Sequence, residues 1–142
     1  MTYLRLASIL CCSLLAIACA TPGSPISRQQ LLADKDWLAE DIGGRGVIDY
    51  ARSSLEFSNQ QSVSGSGGCN RYSGDFDLMD GDRIRITGLA WGEKACPPAL
   101  TEQEARFFKA LFAARSYTLD STMLVLYDDD ANPLIRFSAF LK

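Results

Sequence analysis

The sequence predicts an α+β fold, in which a strongly curved antiparallel sheet or partial barrel of about seven or eight short strands packs on one main α-helix, at about residues 101–114. Three observations predict it. Short apolar runs alternate with polar residues and are separated by turn residues. One late segment spaces its apolar residues by three and four. The predicted strands and helices do not alternate along the chain, and a parallel sheet is therefore not expected.

The segment before the main helix is predicted to be almost entirely strands. A short helical turn comes first, with Ser27 as N-cap and Gln30 three residues later. Asp80-Gly81-Asp82 is a strong hairpin signal, so the strands on either side of it are expected to pair. The predicted strands are WLAEDI, VIDY, SLEFS, SVSG, YSGDFDLM and RIRIT.

The main helix is predicted from a capping box and an apolar stripe. Thr101 and Glu104 fit the T-x-x-E pattern that begins a helix. The stripe behind it is expected to plug the core, since an amphipathic helix on a sheet buries its apolar face; its members are Phe107, Phe108, Leu111 and Phe112. Three further strands follow the helix, in SYTLD, MLVLYD and LIRFSAF.

The first 29 residues are predicted to be a lipoprotein signal peptide (1–18) and a lipidated Cys19 with a flexible tether (19–29), leaving a domain at 30–142. The apolar run is too short to span a bilayer permanently. Because Ala20 is not aspartate, we expect an outer-membrane anchor facing the periplasm. The alternative is ordinary cleavage after Ala18, which gives a soluble periplasmic or secreted protein.

Processing before Cys19 leaves two unmodified cysteines, Cys69 and Cys96. In an oxidising periplasm they have one possible pairing, so a disulfide is expected. The alternative is two reduced thiols, buried separately.

The composition excludes several classes of chemistry. The chain has no histidine, which removes Ser-His-Asp and Cys-His catalysis and histidine-bearing zinc sites. The glycine-rich stretch at 65–74 matches neither the phosphate-loop pattern G-x-x-x-x-G-K-[ST] nor the dinucleotide-binding pattern G-x-G-x-x-G. We interpret Gly65, Gly67, Gly68 and Asn70 as a structural bend, with Cys69 as its clamp. We expect no metal and no cofactor.

A net charge of −3 without a basic run argues against a nucleic-acid partner.

The segments VSGSGGCNRYSGDFDL, ITGLA, ACPPALTEQEARFFKAL, YTLDSTMLVLYD and IRF together resemble the META domain, or HslJ-like, family over about residues 30–140. The segment before Cys96 departs from the family pattern, and Trp91 is added there. The resemblance implies a compact antiparallel sheet curled around one helix. Members of this family are often secreted or lipid-anchored envelope proteins, and some of them are linked to heat-inducible expression and antibiotic tolerance.

No catalytic residues are established for that family, so the resemblance implies a non-catalytic envelope lipoprotein. We expect a monomer that is held at the membrane by Cys19 and binds an envelope protein or an apolar ligand, as a binding or stress-tolerance module. The alternatives are an enzyme that uses carboxylates or Cys69, a lipid- or peptide-binding protein similar to a secretin pilot, and a purely structural module.

The intact mass of the mature protein tests the processing. We expect loss of residues 1–18, an added diacyl or triacyl group on Cys19, and a polypeptide two hydrogens lighter than the reduced chain. An unacylated chain beginning at residue 19 would instead indicate ordinary secretion.

Overall fold

The computed structural model describes residues 27–140, in which two helices and eight strands form. The predicted signal peptide, Cys19 and most of the tether lie outside the described residues. Neither helix in the described range is long and apolar enough to cross a membrane. The elements in chain order are α1 (Arg28–Ala33), β1 (Asp36–Ile42), β2 (Ser54–Phe57), β3 (Ser62–Ser66), β4 (Arg71–Met79), β5 (Arg83–Trp91), α2 (Pro98–Ala113), β6 (Ser116–Leu119), β7 (Met123–Tyr127) and β8 (Pro133–Phe140).

The strands form one antiparallel sheet that closes into a barrel. Each strand pairs with its neighbours in the chain, and β8 pairs with β1 from Asp36↔Phe140 to Ile42↔Ile135. The predicted curved antiparallel sheet and its strand number are therefore confirmed, and the curvature is enough for full closure. Each of the eight strands has a neighbouring strand on both sides.

The seam between β5 and β6 is the shortest pairing in the barrel. A single register pair, Arg83↔Ser116, joins the two strands. Two hydrogen bonds flank it, from the Ile84 N–H to the Arg115 carbonyl at 3.0 Å and from the Tyr117 N–H to the Asp82 carbonyl at 2.8 Å. Helix α2 connects these two strands in the chain and packs on β1, β5 and β8.

Side chains fill the inside of the barrel. The predicted alternation holds on β5, where Ile84 and Ile86 are buried and the arginines beside them are exposed. Helix α2 adds Phe107 and Leu111 to the same cluster. The largest fully buried side chains are Trp37, Phe76, Phe107 and Phe137. The interior is thus a packed core of the kind expected for small barrels.

The barrel has two distinct ends. At the α1 end, α1 contacts the turns at 58–61 and 80–82, through a hydrogen bond from Gln29 Nε2 to the Asn59 carbonyl at 2.9 Å and an Arg28–Asp82 ion pair at 3.1 Å. At the α2 end lie the loops 43–53, 67–70 and 92–97 together with α2. Ser27, the N-cap of α1, therefore lies at the α1 end.

Helix α1 follows its prediction, because Ser27 Oγ accepts a hydrogen bond from the Gln30 N–H at 3.2 Å. The predicted start of α2 was wrong. That helix begins at Pro98 with Pro97 as N-cap, since proline is pre-organised for a first helical turn. Thr101 and Glu104 consequently lie inside the helix and form no capping box.

Two strand predictions also differ from the structure. VIDY (47–50) is not a strand; only an isolated bridge between Asp41 and Gly46 forms beside it. Strand β5 continues to Trp91, beyond the predicted RIRIT, because its far half pairs with the start of β4. Phe112, which was expected in the core, is exposed because it lies at the edge of the helical stripe.

Truncation of the two helix phenylalanines tests the core assignment. We expect Phe107→Ala to lower the free energy of unfolding by about 3–5 kcal/mol, since it removes a fully buried ring. The matched change Phe112→Ala should cost less than about 1 kcal/mol. Chemical denaturation measures both values, and equal costs would contradict the packing described.

Candidate functional site

The disulfide predicted from the cysteine count is present. Cys69 lies in the loop between β3 and β4, Cys96 lies in the loop before α2, and their Cα atoms are 6.2 Å apart. The bond ties the glycine-rich loop to the segment that leads into the main helix. Both sulfur atoms are thereby occupied.

A buried carboxylate on α2 holds the same loop from inside. Glu104 is only 7% exposed. Its Oε2 accepts from the backbone N–H of Asn70 at 2.5 Å and of Cys69 at 3.1 Å, and its Oε1 accepts from Asn70 Nδ2 at 2.7 Å. Three donors on one carboxylate satisfy a group that would otherwise be costly to bury.

Asn70 extends this contact to a third segment. Its Oδ1 accepts from the Lys94 N–H at 2.9 Å, so one buried amide joins α2 to both loops. Asn70 is not among the described residues with positive φ. It takes part in the bend through its side-chain hydrogen bonds. Cys69, Asn70, Cys96, Gln103 and Glu104 together are called the loop clamp below.

Gln103 holds the neighbouring loop, 46–53, through hydrogen bonds to its backbone. Its Oε1 accepts from the Ile48 N–H at 2.8 Å, and its Nε2 donates to the Ala51 carbonyl at 2.9 Å. Ser53, another partner of this amide, donates from Oγ to the Gly67 carbonyl at 2.8 Å. One turn of α2 thus fixes the loops 46–53, 67–70 and 92–96.

The three glycines make room for the loop clamp. Gly65 and Gly68 have φ values of 154° and 116°, which side chains with a Cβ disfavour. At Gly67 a Cβ would lie 2.7 Å from Glu104 Cγ and 2.8 Å from Phe108 Cζ. The glycine-rich stretch is needed because the backbone bends there and approaches α2 closely.

Tyr72, the first core residue after this loop, is held in its neutral form. Burial raises its pKa well above the usual value, and the nearby Glu56 carboxylate raises it further. Its hydroxyl donates to the Ser54 carbonyl at 2.9 Å. Tyr72 is therefore a packing residue that carries a hydrogen bond, and it is unsuited to act as a base near neutral pH.

The reactive groups of the loop clamp are already engaged with one another and with the backbone. The Glu104 carboxylate already accepts three hydrogen bonds, and both cysteines are oxidised. Nowhere in residues 27–140 do three histidine, cysteine, aspartate or glutamate side chains gather as metal ligands would. The arrangement is one that fixes backbone geometry.

An exposed aromatic surface adjoins the loop clamp. The Trp91 ring stacks on Phe108 with centroids 4.4 Å apart, and Phe112 meets Trp91 edge-on at 6.4 Å. Trp91 and Phe112 are 45% and 44% exposed, whereas Phe108 is buried beneath them. These three residues are called the aromatic patch below. Sequence reasoning placed Phe112 in the core and assigned Trp91 no place.

The sequence reasoning also missed Gln103 and Glu104. A usable signal was present: Glu104 shares the spacing i, i+3, i+4, i+7 with Phe107, Phe108 and Leu111, so it lies on the buried face of α2. The predicted capping box assigned Glu104 to a contact with the start of its own helix, so its place on the buried face was overlooked. Gln103 left no comparable signal, since its partners are backbone groups in a distant loop.

Replacing Glu104 tests the loop clamp. We expect Glu104→Ala to lower the free energy of unfolding by about 3 kcal/mol or more, because buried N–H groups lose a charged acceptor. Glu102→Ala is the matched control: its exposed carboxylate pairs with exposed Arg45 and half-buried Arg106, so the change should stay within about 1 kcal/mol. Urea denaturation of both variants measures the difference; equal stabilities would refute the role of Glu104.

The fold occurs in other solved structures. A protein from Burkholderia xenovorans solved by NMR is 24% identical, with a TM-score of 0.62 over 87% of this chain and 94% of its own. A second NMR structure is 23% identical, with a TM-score of 0.63 over 79% of this chain and 94% of its own.

A DUF4847 family protein from Bacteroides vulgatus is 17% identical, with a TM-score of 0.60 over 80% of this chain and 98% of its own. At these identities the likeness concerns the fold alone. No curated protein is significantly similar in sequence. The sequence profile of the META domain matches residues 30–140, which include all eight strands, α2 and most of α1. The chain therefore belongs to the META domain family.

Proposed function

We propose that this protein is a non-catalytic, lipid-anchored envelope protein that binds another envelope protein through the aromatic patch. The observation that carries the proposal is the exposure of Trp91 and Phe112 beside a loop fixed by the disulfide and Glu104. Exposed aromatic side chains on a rigid support are typical of the residues that dominate protein interfaces.

The closed core supports a binding surface on the outside of the barrel. An apolar ligand inside would have to displace fully buried rings such as Trp37, Phe76 and Phe137. The cost of opening such a core is several kcal/mol for each ring. The pilot-like alternative, which holds acyl chains inside a half-barrel, is therefore the less favoured hypothesis.

The enzymatic alternative has the least support. A Cys69 nucleophile needs a free thiolate, and the disulfide with Cys96 occupies that sulfur. The most deeply buried carboxylate of the α2 end, Glu104, already serves three donors. Binding, rather than catalysis, is also the simpler route to the stress-tolerance role that the family resemblance implies.

The position of the patch favours a protein partner over the membrane surface. The tether enters at Ser27, at the α1 end, whereas Trp91 and Phe112 belong to the α2 end. A chain anchored through Cys19 would hold its α1 end nearest the bilayer and present the patch to the periplasm. Arg71 lies beside Trp91 in a shallow depression and adds a cation of the kind enriched at interface centres.

Affinity capture with patch variants tests this proposal. Mature lipoprotein purified from membranes should co-purify with one envelope protein after mild cross-linking. Trp91→Ala should reduce that recovery at least about tenfold, as expected for a central aromatic contact. Met123→Ala, which trims an exposed side chain on β7, is the control and should leave recovery unchanged.

Equal recovery with wild type, Trp91→Ala and Met123→Ala would reject the patch as the binding surface. Recovery of no partner from native envelopes, with the anchor shown to be intact by mass, would reject the binding function itself.

A further inference from the structure

A second surface, on the flank of the barrel, has the composition of a ligand site. A depression of about 400 Å³ lies over the outer faces of β1, β2 and β3, next to the end of β8. Its size falls within the roughly 300–1,000 Å³ range of small-molecule sites. It is called the outer groove below, and the lining side chains that carry the argument are Leu38, Tyr50, Arg52, Ser54, Glu56 and Phe140.

Two aromatic rings of the outer groove are presented to solvent. Tyr50 is 79% exposed and Phe140 is 52% exposed. Neither ring contributes to the core cluster, so packing does not explain their presence. Large aromatic side chains left in water in one concave place indicate a contact surface.

Opposite charges stand in the same groove without being paired. The Arg52 guanidinium lies 5.5 Å from the Phe140 ring centroid and forms no ion pair with any residue from 27 to 140. Glu56 likewise has no ion pair within that range. The cation–π contact holds Arg52 in place and leaves its donors available. The groove therefore offers strong donors and strong acceptors to one ligand.

The charge balance and the topology narrow the ligand class. The described lining of the groove includes one cation, Arg52, and two carboxylates, Asp36 and Glu56, and this balance disfavours an anion. A peptide cannot bind here by strand addition, because β2 and β3, which lie under the groove, are each paired with a strand on both sides. A neutral sugar suits both features: its hydroxyl groups donate and accept hydrogen bonds, and its C–H faces pack on aromatic rings.

We propose that the outer groove binds a neutral saccharide chain, with Tyr50 and Phe140 contacting sugar-ring faces while Arg52 and Glu56 hydrogen-bond to hydroxyl or amide groups. Ser54 and Leu38 lie on strands that the barrel holds rigid, so the groove floor is preformed. The site is separate from the aromatic patch, and this inference does not depend on the partner proposed there.

Calorimetric titration of the mature protein with the β-1,4-linked tetramer of N-acetylglucosamine tests the inference. We expect saturable binding in the millimolar range or tighter. Tyr50→Ala and Glu56→Gln should each weaken it about tenfold, through loss of a ring contact and of a charged acceptor respectively. Met79→Ala, an exposed side chain outside the groove, is the matched control and should bind as wild type does.

Thermal melting of each variant accompanies the titration, and we expect unchanged midpoints because Tyr50 and Glu56 lie outside the core cluster. No saturation at millimolar tetramer overturns the proposal. Binding that Tyr50→Ala and Glu56→Gln leave unchanged also overturns it. So does tighter binding of a polyanionic oligogalacturonate, which the acidic groove should repel.

Discussion

The contact between the Glu104 carboxylate and the backbone N–H groups of Cys69 and Asn70 is the interaction on which the α2 end of the molecule depends. It draws the glycine-rich loop against the helix so closely that Gly67 has no room for a Cβ. The disulfide acts on the same loop from the outside. Only one register pair joins β5 to β6, and these contacts hold the helix that connects the two strands. The loop clamp and the buried stripe of α2 together provide them.

This arrangement separates the buried polar contacts from the exposed aromatic surfaces. The polar groups at the loop clamp satisfy one another, so their chemistry is used to fix the backbone. The rigid end then supports Trp91 and Phe112, and the flank of the barrel carries the outer groove with Tyr50 and Arg52. Ser27, the N-cap of α1, lies at the opposite end. Under the proposed anchoring, each exposed aromatic surface would be free to contact other envelope components.

Patterns local in sequence predicted most of the fold. The period-two alternation around Ile84 and Ile86 and the Asp80–Asp82 turn located β4 and β5, and the cysteine count gave the disulfide. The errors share one physical cause. Glu104 looked like a capping residue because its partners, Cys69 and Asn70, are more than thirty positions away. Likewise, the exposure of Phe112 depends on how α2 is rotated on the barrel, which helical spacing fixes only approximately.

Amide hydrogen exchange followed by NMR is the most direct measurement of the central interaction. If Glu104 holds the loop, the Cys69 and Asn70 amides should exchange only on global unfolding, with protection equal to that of core amides such as Phe76. The Gly81 amide, in an exposed turn at the other end, should exchange rapidly in the same sample. Exchange of the Cys69 and Asn70 amides at the rate of Gly81 would contradict the account.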